Sequence, residues 1–166
     1  MAQPSVSFWE FSLSVYSKSG VPEACLELQD KHGADVNIVL FMLWVADQGR
    51  RLSADDIGRI TNLIADWQNE LVRPLRLARR FLKAPASEWQ LQETAALRAR
   101  IKADELEAER LQQSVMANFF HSHSMGQADE VDAAAIANLE AYAASLNTVF
   151  PKQIVSLLMK AARHEV

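Results

Sequence analysis

The sequence predicts an all-α, single-domain bundle of about six to seven helices, and three observations carry that prediction. Five glycines and five prolines leave few breaks, and nearly every one stands where a helix should start or stop. Apolar residues recur at spacings of three and four over long stretches. One run, Ile38 to Ala46, is apolar at every position, which suits a helix enclosed by its neighbours. A buried strand is the rival reading of that run, but no partner strands are evident.

Taken in order, Ser7 and Glu10 make a capping box, Phe8, Trp9, Phe11, Val15 and Tyr16 supply an apolar side, and Gly20 ends the first helix. Pro22 suits the first turn of a second helix, closed by Gly33. Asp35 can cap a third, which covers the apolar run and ends near Gly49. Ser53 with Asp56 opens the clearest stripe, Ile57, Ile60, Ile64, Trp67 and Leu71, then Ala78 and Phe81. Pro74 interrupts it, and its missing N–H predicts a kink or a short break. Residues 1–84 are therefore read as core helices.

Ser87 with Gln90 predicts the start of a long amphipathic helix over 87–121, with Leu97, Ile101, Ala108, Leu111 and Val115 along one side. At 1.5 Å per residue it would run roughly 50 Å, more than a compact domain needs, so it is expected to project in part or to break. His121 to Asp129 reads as a flexible connection. A C-terminal helical pair is expected in 129–166: Asp129 with Asp132 begins one helix, Pro151 the other, and Lys160, Arg163 and His164 favour its negative dipole end.

A net charge of −4 argues against binding DNA by bulk electrostatics, although a local basic patch can still hold RNA. Cys25 is the only cysteine, so no intramolecular disulfide or cysteine metal cage forms, and a reducing, cytoplasmic setting fits. The N-terminus lacks the pattern of a signal peptide, and the apolar run falls short of the roughly 20 residues that span a bilayer, so no membrane association is expected.

Two polar constellations stand out. His32, Asp35 and Asn37 could bind a metal or form an acid and base pair. The preferred reading is structural: His32 in a last helical turn, Asp35 as a cap, Asn37 bonded to nearby backbone. Arg73, Arg76, Arg79, Arg80 and Lys83 have no acid among them, and the last four can share a helix face able to hold phosphate, RNA or an acidic partner. The alternative is ion pairing with Asp104, Glu105, Glu107 and Glu109, since residues 50–110 carry 12 basic and 10 acidic side chains. His121 and His123 lack the further ligands zinc requires, and Asp55 and Asp56 have no facing acidic cluster. No phosphate-binding glycine loop, nucleophile elbow or HExxH helix occurs, so neither catalytic residues nor a metal or cofactor is expected.

The stretches FWEFSLSVYSKSGVPEACLELQDKHGADVNIVLFMLW and ADWQNELVRPLRLARR resemble a family of short helical proteins from proteobacteria that is known only as a domain of unknown function. The resemblance spans roughly the first 110 residues and is most specific from Cys25 to Trp44. It implies a bacterial cytoplasmic protein and brings no activity, ligand or catalytic residue with it.

The leading expectation is a non-enzymatic, cytoplasmic interaction or regulatory module that meets a protein partner or a second copy of itself. The alternative is a small helical enzyme or carrier in which Arg76 and Arg80 hold an anionic or phosphorylated ligand near His32, Asp35 and Asn37. RNA binding through 73–83 is a weaker third.

Overall fold

A computed structural model describes residues 6–163. The chain forms α1 (Phe8–Tyr16), α2 (Val21–His32), α3 (Val36–Asp47), β1 (Arg50–Arg51), α4 (Ala54–Trp67), α5 (Arg73–Phe81), α6 (Gln92–Ser122), β2 (Gln127–Ala128), α7 (Val131–Ser145) and α8 (Lys152–Ala162). A π-helical turn, Gln68–Val72, joins α4 to α5. Counted as one continuous run, α4 to α5 makes seven helices among the described residues, the all-α bundle that the sequence predicts.

The core is built around α3. Every residue from Asn37 to Ala46 is buried, and α1, α2, α6, α7 and α8 all pack against it, α7 most extensively. Phe8, Phe41, Trp44 and Phe120 form its aromatic centre, with ring centroids 5.2 to 6.2 Å apart. Ser7–Glu10 and Ser53–Asp56 both close as capping boxes, which satisfies amides that the first helical turns would otherwise leave bare. Arg163 spends its guanidinium on Asp132, 2.6 Å away at the start of α7; His164 lies outside the described residues.

Four features depart from the sequence expectation. After Ile64 the buried face moves to Gln68 and Val72, while Trp67 and Phe81 are exposed. The Gln68 N–H still donates to the Ile64 carbonyl as in an α-helix; the π turn accounts for the register after it. The Arg73 N–H reaches back to the Gln68 carbonyl, one residue further than in an α-helix, so the extra residue rotates everything downstream. Pro74 follows this turn directly, as the second residue of α5, so the irregular turn falls where a proline ring and missing N–H disfavour a regular α-helical one. The helix neither ends nor breaks there.

The long helix begins at Gln92 rather than Ser87, because Ser87–Trp89 is a single 3-10 turn. It runs unbroken for 31 residues, about 46 Å. Its inward face is Glu105, Ala108, Gln112, Gln113, Met116 and Phe120, and of the predicted stripe only Ala108 belongs to it. Leu97, Leu111 and Val115 are exposed. Three of the inner positions are polar because their partners are: Arg76 and Arg79 on α5 for Glu105, the cap Asp35 for Gln112, and Asn37 on α3 for Gln113.

The expected flexible connection, His121 to Asp129, is not loose: His121 and Ser122 still belong to α6. β2 pairs antiparallel with β1, Arg51 opposite Gln127, Met125 is buried, and the Gly126 N–H donates to Asp56 at 3.2 Å. Gly126 has φ +74, and a Cβ there would lie 2.9 Å from the Arg51 carbonyl oxygen. Only glycine fits such an approach without displacement. Finally, buried Asn138 holds the region together: its Oδ1 accepts from the Leu52 N–H at 2.7 Å, and its Nδ2 donates to the carbonyls of Met42 and Arg50.

Between Arg73 and Asp104 no residue is buried. α5 packs chiefly against α6 and the π turn. This stretch forms a helical arm beside the core.

Candidate functional site

The outer side of α5 and its inner side carry different chemistry. Arg76 and Arg79 face α6. The Arg76 guanidinium donates to Glu105 at 3.0 Å, to Glu109 at 2.7 Å and to the Gln29 side chain at 3.1 Å. Arg79 donates through Nε and Nη2 to both oxygens of Glu105. Arg80 turns toward α2 and lies 3.9 Å from Asp30. Arg73 and Lys83 are exposed and have no ion pair among the described residues. The five basic residues are thus split: two enter a half-buried network, one meets α2, two face solvent. Of the candidate acids, Glu105 and Glu109 join the network, whereas Glu107 binds Arg110 of its own helix at 2.6 Å.

The two network carboxylates sit in opposite electrostatic balance. Burial pushes the Glu105 carboxyl up, but hydrogen bonds from Arg79 and Arg76 and their charges together outweigh it and hold it below the ordinary range. For Glu109, burial outweighs Arg76, and Glu105 adds repulsion, so its carboxyl is pushed up. Desolvation disfavours the charged form in both; Glu109 is the more desolvated and has one guanidinium where Glu105 has two, so the signs differ.

His32, Asp35 and Asn37 point to three different places. The His32 Nδ1 lies 2.8 Å from the Thr148 hydroxyl, with its ring edge-on to Phe150. Asp35 caps α3, Oδ1 accepting from the Asn37 N–H at 2.8 Å. Its Oδ2 accepts from the side-chain amides of Gln68 and Gln112, and its own N–H donates to the Tyr142 hydroxyl at 2.9 Å. The Asn37 Oδ1 accepts from Gln113 Nε2 at 2.8 Å, a side chain rather than the backbone expected from sequence. Gln68, Gln112 and Gln113 are functional candidates that sequence reasoning missed. The one available signal was an uncharged Gln-Gln pair within a helix otherwise rich in charge.

A cavity of about 420 Å³ opens between α1, α2, α3, α5 and α6. Trp9, Leu13, Tyr16, Leu26, Leu40 and Leu106 give it apolar walls, Ser12, Asn37 and Gln113 line it with polar groups, and Arg76, Arg79, Arg80, Lys102, Glu105 and Glu109 supply charge. It joins Asn37 to the arginines but does not reach His32 or Asp35. Its size is that of small-molecule sites in general. The histidines of the former loop lie elsewhere: His123 stacks on Phe119 at 3.9 Å, and His121 packs edge-on to Trp44. No cluster of three or more His, Cys, Asp or Glu side chains suited to a metal occurs among the described residues, and no described helix is long and apolar enough to cross a membrane.

Against known proteins, residues 7–116 match the family described as "Protein of unknown function (DUF2390)". The match takes in α1 to α5, the cavity and most of α6, and the chain belongs to this family. No curated protein and no solved structure matches it.

Proposed function

We propose that this member of a family of unknown function is a bacterial, cytoplasmic, non-enzymatic interaction protein, and that the arm formed by α5 and the first turns of α6 meets its partner. One observation carries the reading: the arm presents large apolar side chains to solvent, with Phe81 72%, Trp89 65% and Leu77 65% exposed. Aromatic side chains are enriched at protein contact surfaces, and Phe81 and Trp89 are more exposed than Tyr16 or Trp67.

Charge indicates the kind of partner. Residues 73–104 carry eight basic and three acidic side chains, a net of +5, against −9 for the rest of a chain whose total is −4. An acidic protein surface with apolar pockets for Phe81 and Trp89 complements the arm. RNA is the less favoured occupant, since the Arg76 and Arg79 guanidiniums are already spent on Glu105 and Glu109. Buried Cys25, with its thiol pushed up to about 12 by desolvation, suits a compartment in which no disulfide is needed.

The test is a photo-crosslinker in place of Phe81 or Trp89 in the intact chain, with Val149, which is exposed but off the arm, as the control position. A single protein adduct at both arm positions and none at Val149, lost when Arg73→Glu and Lys83→Glu are combined, is the expected result. Adduct formation that is equal at Val149, or none at either arm position in a protein that sediments as a strict monomer, overturns the proposal.

A further inference from the structure

We infer that the cavity between α1, α2, α3, α5 and α6 binds a monoanionic amphipathic acid that carries a hydroxyl or N–H donor on the apolar body, away from its carboxylate. This site is separate from the outward surface of the arm.

The polar lining calls for a donor. Ser12 and Gln113 line the cavity, are 3% and 2% exposed, and their Oγ and Oε1 atoms have no hydrogen-bond partner. The Gln113 amide is oriented by its other end, because Nε2 donates to Asn37, which leaves the carbonyl oxygen for a visitor. A buried acceptor without a partner is costly, and native proteins retain few of them without a reason. The Ser12 hydroxyl can donate or accept, whereas the Gln113 oxygen can only accept, so a ligand hydroxyl or N–H supplies what that oxygen lacks.

The walls call for an apolar body. Leu13, Tyr16, Leu26 and Leu106 are each among the chain's exposed large hydrophobic side chains, and all four surround this one cavity. A bound ligand would cover them together.

The charges call for one negative group. Arg76 and Arg79 are committed to Glu105 and Glu109. Arg80 meets Asp30 only at 3.9 Å, and Lys102 has no ion pair among the described residues. Four cations against three anions, Asp30 included, leave a surplus of one. A carboxylate balances it, whereas a phosphate dianion would face Glu105 and Glu109 unneutralised. Lys102 and Gln113 are 11 residues apart on α6, about 16 Å along its axis, so the two polar ends of the ligand must be separated by an extended chain.

Three probes separate these requirements: 10-hydroxydecanoate, decanoate, which lacks the far donor, and 1,10-decanediol, which lacks the acid. Calorimetric titration of the full chain, with amide chemical shifts mapping the site, should show the hydroxy acid binding about tenfold more tightly than either of the others. Ser12→Ala should narrow the gap between the two acids. Arg80→Ala with Lys102→Ala should weaken both acids and leave the diol unchanged. Gln113→Leu should abolish the preference for the hydroxyl, and should it fail to fold, Ser12→Ala makes the same test. Equal affinities of the two acids for the wild type, no binding of any probe, or shifts that map away from Trp9, Leu26 and Leu106 overturns the inference. Phe81 and Trp89 variants should leave probe binding intact, so this result stands apart from that of the arm.

Discussion

Glu105 and Glu109 lie one turn apart on α6, share Arg76, and answer pH in opposite senses. The Glu105 carboxyl is depressed below its ordinary 4.5 in the folded chain, so its contribution to stability is present above about that pH and is lost as pH falls through the lower folded value. The Glu109 carboxyl is raised, so its contribution is complete below 4.5 and is lost as pH rises through the folded value. At pH 7, Glu105→Gln should therefore lower the urea midpoint and flatten its fall in acid. Glu109→Gln keeps an oxygen for Arg76 and should be neutral or stabilising. A Glu109→Gln midpoint below that of Glu105→Gln would contradict this assignment. Legibility at this scale followed distance along the chain. The cap at Asp35 depends on the amide two residues on and could be read directly. The Gln113 partner of Asn37 lies 76 residues away, and no local pattern encodes it. Asn138 stayed invisible for the same reason: its three partners belong to α3, β1 and the residue after β1.

Among elements, the starts of α1, α3 and α4 were legible because a cap is a contact within one helical turn. The register beyond Trp67 was not, since strict spacing by three and four assumes an unbroken α-helix and the π turn inserts one residue. Gln68, which opens the turn, keeps its α-helical bond to Ile64 and reaches Asp35 with its side chain. The ladder of β1 and β2 has two residues on each side, too few for an alternating pattern. Gly126 pins that ladder. Gly126→Ala should cost about 1–3 kcal/mol in denaturant titrations, since it adds a Cβ against the Arg51 carbonyl to an unfavourable φ. Gly33→Ala is the reference: φ there is +68 with open space around the position, so only the backbone term applies and the cost should be smaller. Equal losses would mean that the close approach at Gly126 carries no energy.

At the scale of the molecule, an acidic body carries a basic arm, and the net charge of −4 conceals both. A count over residues 50–110 diluted the contrast because it merged the arm with the acids of α4 and α6. The buried centre was legible from Ile38 to Ala46 alone, and the basic run and a partly projecting helix were expected; which apolar residues of α5 stay exposed was not, since it depends on the register after the π turn. The division should appear in amide hydrogen exchange. α3 and α7, buried and mutually packed, should exchange only through global opening, whereas residues 82–104, none of them buried, should exchange orders of magnitude faster. Uniform protection would mean that the arm is as firmly built as the core. Cys25 adds a practical corollary. Being the only cysteine, nearly inaccessible and scarcely ionised at neutral pH, it is a silent thiol. A second cysteine engineered at the arm tip would take a fluorophore or spin label alone, while the native one, challenged by a thiol reagent without denaturant, would serve as a stopwatch for spontaneous unfolding.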